Sequence, residues 1–276
     1  MGVFVKLFHL LGIALSSSLL SVQAGQYNYE INADVLNSDT EETEVFGANY
    51  SGKFFFRPVT ISTVPLEESD FVKETSYAFF ERSGIEVSSE QTTVTQNTTV
   101  FGANLIENRW LLGFTYKEIS LDSDIGPNGT VLEITDYRAG RYFINDWLVT
   151  ASVVQYDSPD ASESGIRLYS KKYGRLARGF FYSVSAEYFT IEDRKEIEFS
   201  GNMYLNKRIV LGASLQHVSF DDEQAEEVDL GYSAHVQYYV TEKLSVRATM
   251  SELNFISPGQ FDVNNEAIKI SAKLRF

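Results

Sequence analysis

The last ten residues, Ala267 to Phe276, read AIKISAKLRF and alternate without a break. Ile268, Ile270, Ala272, Leu274 and Phe276 fall on one side, Lys269, Ser271, Lys273 and Arg275 on the other. Successive side chains of a strand point to opposite faces, so this stretch is a strand with one apolar and one cationic face. The same period recurs along the chain. In QYNYEINADV, Tyr27, Tyr29, Ile31, Ala33 and Val35 share a face opposite Asn28, Glu30, Asn32 and Asp34. In VFGANYSGKFFF, Phe46, Ala48, Tyr50, Gly52, Phe54 and Phe56 stand opposite Gly47, Asn49, Ser51 and Lys53. Further runs start near Lys73, Gln96, Arg109, Val131, Trp147, Ile166, Phe180, Glu196, Ile209, Val228, Leu244 and Glu266. Together these predict about 14 strands, with 12 or 16 as the neighbouring counts. Past residue 24, no stretch of comparable length has helical periodicity. The chain is all-β.

Strand length and connection pattern separate a barrel from a soluble sandwich. Several runs reach about 10 residues or more, the length a tilted strand needs to cross a bilayer, whereas strands of globular sheets average about 5–6. The connections alternate in kind. Glu107–Arg109, Ile144–Asp146, Asn206–Arg208 and Thr241–Lys243 are short. NSDTEETE, DSDIGPNGT, DSPDASES, DDEQAEE and SPGQFDVNN are longer and acidic. Short turns at one rim and longer loops at the other define an antiparallel up-and-down transmembrane β-barrel, with the turns in the periplasm. Aromatic residues gather near strand ends, as at Trp110, Phe143 and Trp147, where amphipathic rings settle at the headgroup level. A pentapeptide, Val-Phe-Gly-Ala-Asn, occurs at Val45 and again at Val100, each time opening a strand that leads toward the turn rim. Its glycine is suited to close backbone approach.

Residues 1–24 read as a cleaved export signal: Lys6, an apolar run from Leu7 to Val22, and small residues before Gly25. Residues 25–276 are then the barrel. The sequence has no cysteine, so neither a lipoprotein anchor nor a disulfide framework is available. The formal charge of −15 argues against nucleic acid as a partner.

Strand parity places Glu30, Asp34, Lys53, Lys117, Asp136, Arg138, Arg167, Lys171, Arg247, Lys269, Lys273 and Arg275 on polar faces, together with Glu187 and His235. A cation at mid-depth in lipid costs about 2–4 kcal/mol, so these side chains must face water or one another. Side chains fill a barrel of about 8 strands, and one of about 14 should be wider than they can fill. The polar residues are therefore expected to line an aqueous pore. The acidic loops would screen the pore mouth or bridge divalent cations to lipopolysaccharide. Past residue 24 there are two histidines, His217 and His235; Ser233, His235 and Asn254 could form a hydrolytic set, as could many groups in so serine-rich a chain. Phosphate-binding glycine loops, metal-ligand spacings and calcium-loop spacings are absent, so no enzyme, metal or cofactor is expected.

YNYEINADVLNSDTEETEV followed by NYSGKFFFRPVTISTVPLEESDFVK resembles the general porins of marine and related proteobacteria. In that family, an acidic first loop precedes a tyrosine-rich strand and a long proline-containing turn. At the turn this chain has Glu68, Ser69 and Asp70 where small residues are usual. More broadly, the terminal aromatic strand resembles that of Gram-negative outer-membrane barrels. The resemblance implies that Phe276 is read by the barrel-assembly machinery. Its implied partners are outer-membrane lipid, lipopolysaccharide, periplasmic chaperones and further copies of the chain in a homo-oligomer. It also implies an outer-membrane location and passive diffusion of small hydrophilic solutes and ions. A non-conducting structural or adhesin-like barrel is the alternative.

Overall fold

The computed structural model describes residues 25–39, 43–61, 65–89, 92–123, 129–144, 146–159, 161–176, 179–192, 194–220, 228–254 and 264–276. The export signal expected over residues 1–24 lies outside them. So do the acidic segment 221–227 and most of SPGQFDVNN.

Fourteen antiparallel strands close into a barrel. They are β1 (Gln26–Asp39), β2 (Thr43–Thr60), β3 (Tyr77–Ser89), β4 (Thr93–Glu107), β5 (Trp110–Ser123), β6 (Gly129–Phe143) and β7 (Trp147–Asp157). The circuit continues through β8 (Ser162–Arg175), β9 (Phe181–Ile191), β10 (Arg194–Tyr204), β11 (Ile209–Phe220), β12 (Val228–Tyr239), β13 (Leu244–Asn254) and β14 (Asn264–Arg275). Each strand pairs with its sequence neighbours, and β14 returns to β1 in a register running from Glu30 opposite Arg275 to Asn37 opposite Ile268. Closure leaves no unpaired edge, which is what lets a sheet sit in lipid, where no water can satisfy an open strand. Both ends of the described barrel lie at the turn rim, where the Phe276 ring stacks on Tyr29 at 5.6 Å.

The apolar faces point outward. Leu112 is 63% exposed, Ile268 61% and Val153 58%, and in water such a band would be untenable. At the turn rim Trp110, Phe143 and Trp147 are exposed as a girdle, and Trp147 Nε1 donates to Ser170 Oγ at 2.8 Å. Asn108 and Arg109 form a two-residue hairpin with φ of 50° and 69°, the left-handed pair that a type I′ turn requires. Of the two repeated glycines, only Gly102 is needed for close approach. A Cβ there would stand 2.4 Å from the Phe114 carbonyl oxygen, whereas at Gly47 the nearest atoms are at an ordinary 3.5 Å.

Two expectations change. Tyr27 and Tyr29 do not share a face. The β1–β2 register shifts between them, with Tyr27 opposite Val59 but Tyr29 opposite Phe54. This bulge turns Tyr27 inward, where it is fully buried, and leaves Tyr29 outside. The connections also depart from the predicted sorting. Pairing continues into the acidic segments, so β7 ends at Asp157 and β8 resumes at Ser162. The longest described connection, between β2 and β3, sits instead on the rim of short turns. β3 accordingly starts at Tyr77 and not near Lys73.

Candidate functional site

Between β2 and β3, residues 65–75 do not hang outside the barrel. They form a 3₁₀ turn at Leu66–Glu68 and a one-turn helix at Ser69–Val72, and both lie in the lumen. Pro65 opens the segment with φ of −53°, near the value its ring imposes. Leu66 is 2% exposed and packs among Tyr173 of β8, Tyr204 of β10, Val210 of β11 and Tyr239 of β12. Its carbonyl accepts a hydrogen bond from Arg275 Nη1 at 2.7 Å, and its amide donates to the Lys207 carbonyl at 3.3 Å. Phe71 reaches another part of the wall, its ring 5.5 Å from that of Tyr142 on β6.

Three carboxylates on this segment each meet a cation of the wall. Glu67 is caged: Arg247 donates to it at 2.9 Å, Gln237 Nε2 at 3.0 Å and Lys273 Nζ at 3.3 Å, and the Tyr239 hydroxyl completes the set. Burial would raise the Glu67 carboxyl, but Lys273, Arg247 and Arg275 outweigh it and hold it well below the usual carboxylate range. Glu68 pairs with Lys171 Nζ at 2.7 Å and accepts from the Tyr204 hydroxyl. Asp70 pairs with Lys53 at 3.2 Å. Lys53 belongs to β2, Lys171 to β8 and Lys273 to β14. The segment therefore crosses the lumen and bridges opposite walls.

No protein-family model matches the sequence, and no curated protein sequence matches it. Solved structures do match the fold. The outer membrane protein Omp33 of Acinetobacter baumannii superposes with a TM-score of 0.64 at 18% identity, over 92% of this chain and all of that one. The OmpF porin of Salmonella typhi superposes with a TM-score of 0.47 at 9% identity, over 91% and 97% of the two chains. The chain has the fold of an outer-membrane β-barrel. The likeness to Omp33 joins the closed 14-strand circuit and the apolar outer band, and the expected fold class holds.

Within this barrel the residues singled out by parity form two groups. The first surrounds the lumenal segment. Glu30 is buried and joins Arg275 at 2.8 Å and Lys273 at 3.4 Å. Arg275 is almost wholly enclosed, its guanidinium 4.8 Å from the Tyr27 ring centre and 5.3 Å from that of Tyr239. Lys53, Lys171, Arg247 and Lys273 complete the group through the contacts above. Asp34, with Lys269 at 3.0 Å, lines a neighbouring polar cavity of about 400 Å³ shared with Glu67, His235 and Arg247. The second group lies on β6, β8 and β9, where Asp136 takes Arg138 at 3.2 Å and Arg167 at 2.5 Å, and Arg167 also meets Glu187 at 3.0 Å. Lys117 of β5 lies within electrostatic reach of Glu81. The hydrolytic set does not assemble around His235: the Ser233 hydroxyl bonds to that of Ser214 at 2.8 Å, and His235 Nε2 has no hydrogen-bond partner among the described residues.

Parity did not find Leu66, Glu67, Glu68 and Asp70, because none lies on a strand. The available signal was the length and acidity of a connection on a rim of short turns.

Proposed function

We propose that the protein is a passive diffusion channel for small hydrophilic solutes and ions, held shut by residues 65–76 and opened when they leave the lumen. The observation that carries this reading is the bridge from Glu67, Glu68 and Asp70 to Arg247, Lys171 and Lys53 on opposite walls. The segment is held by side-chain contacts and one backbone bond, from the Leu66 amide to the Lys207 carbonyl, so it can detach while the strand ladders stay intact. Once it has gone, the polar-face residues named above would line the conducting path, with confined charges acting on every passing ion. Passive diffusion needs no cofactor. Residues 1–24 fit the reading as the signal that delivers the chain to the periplasm.

The test is conductance in a planar bilayer, comparing the intact protein with a variant whose residues 62–75 are replaced by a short Gly-Ser linker. The intact barrel should be silent or flicker, and the linker variant should conduct steadily. The occupied lumen also favours the alternative, a non-conducting structural barrel. A linker variant that leaves the bilayer sealed at every voltage would establish that alternative.

A further inference from the structure

The contacts of Glu67 describe a ligand and its site as well as a latch. All four groups that hold its carboxylate are donors: a guanidinium, an ammonium, a side-chain amide and a phenol. They divide between the two oxygens. Arg247 approaches Oε1, Gln237 and Tyr239 approach Oε2, and Lys273 reaches both, at 3.3 and 3.4 Å. Paired donors on two coplanar oxygens suit a planar carboxylate, and the Gln237 amide is itself oriented by accepting from Arg247 Nε at 2.8 Å. Lys171 with Tyr204, and Lys53, provide two further carboxylate positions, taken by Glu68 and Asp70.

The charge left behind decides what must follow. When the segment leaves, three carboxylates leave with it. Lys53, Lys171, Arg247, Lys273 and Arg275 remain, with Glu30 joined to Lys273 and Arg275. Removing one partner from a buried ion pair is costly because it strands the other charge. The open lumen therefore calls for anions, at positions already shaped for carboxylates.

Building on the channel reading, we infer that the donor cage around Glu67 is a binding site for solute carboxylates, and that small polycarboxylates open the barrel by displacing the segment that mimics them. The segment is a tethered competitor. A short flexible tether presents its ligand at an effective concentration in the millimolar range, so a free solute must reach about millimolar levels to compete. A solute with two or three carboxylates occupies neighbouring positions together and competes better than one with a single carboxylate.

Planar-bilayer recording with citrate as the polycarboxylate probe and inorganic phosphate as the control tests this on the full barrel. In the parent, citrate added on the turn side should raise open probability several-fold over potassium chloride alone, and phosphate should do so less. In a Glu67→Gln, Glu68→Gln, Asp70→Asn variant the latch is neutralised, so the barrel should conduct in potassium chloride. Citrate should then reduce its chloride current several-fold by occupying the vacated site. Should the triple variant fail to assemble, the linker variant carries the same block measurement. Variants that conduct but do not respond to citrate overturn the inference and leave the channel reading standing. Equal effects of citrate and phosphate overturn the carboxylate assignment. Variants that remain sealed overturn both.

Discussion

Replacing Leu66 with alanine should open the barrel without loosening it. Leu66 lies outside every strand, so its loss removes no ladder hydrogen bond. Its side chain is 2% exposed and sits among Tyr173, Tyr204, Val210 and Tyr239. Those four residues are held by strands that cannot collapse inward, so the space left by alanine should persist. Leu→Ala changes at such sites cost about 2–5 kcal/mol, the upper range applying where the surroundings do not relax. Taking about 3 kcal/mol, the ratio of docked to undocked segment should fall roughly a hundredfold. The ion pairs of Glu67, Glu68 and Asp70 and the Arg275 bond to the Leu66 carbonyl remain, so docking is weakened and not abolished. Single-channel recording should show a large rise in open probability at unchanged unit conductance. Heat-modified electrophoretic mobility, which reports barrel unfolding, should change little. The reasoning fails if L66A lowers the unfolding temperature while its open probability matches the parent's. In that case the segment is part of the barrel's cooperative core and does not dock independently.

Three further outcomes follow from named contacts. The cations around docked Glu67 hold its carboxyl well below the usual carboxylate range and displacement releases it toward that range, so its contribution to docking is full above the usual range and declines as pH falls below it. Open probability should therefore be flat from neutral pH to about 5 and rise only in stronger acid; an opening centred near pH 6 would point to another group. Replacing Arg247 and Lys269 with glutamine removes two wall cations that sit beside Glu67 and Asp34, and should move the reversal potential in a salt gradient toward cation preference. An unchanged potential would place both side chains off the conducting path. Phe276→Ser keeps the backbone bonds to Asn28 and Tyr29 but loses the ring stack on Tyr29, worth about 1 kcal/mol. Outer-membrane levels should fall more than barrel stability does, and equal levels at low expression would remove the assembly role.

Strand number, alternation and the outward face were legible in the sequence because each depends on local rules. Period-two patterning tells lipid from water at each residue, as it does from Ile268 to Arg275, without knowledge of which strand lies alongside. The inward charges of Glu30, Lys53, Arg247 and Lys273 followed by the same logic. Alternation failed at Tyr27, because a bulge inserts residues whose effect on parity depends on the partner strand. It was silent about residues 65–76, where no period exists to read. The destination of that segment was decided by contacts distant in sequence, such as Tyr204 to Glu68 at 136 residues and Lys273 to Glu67 at 206. Composition could place acids in a turn and cations on a wall, but only barrel closure brings β2, β8 and β14 around one lumen narrow enough for the turn to span. The sequence by itself determined a membrane barrel with a charged interior. What crosses that interior was decided by the tertiary structure, since the charges that hold the segment there meet only after the sheet has joined its two ends.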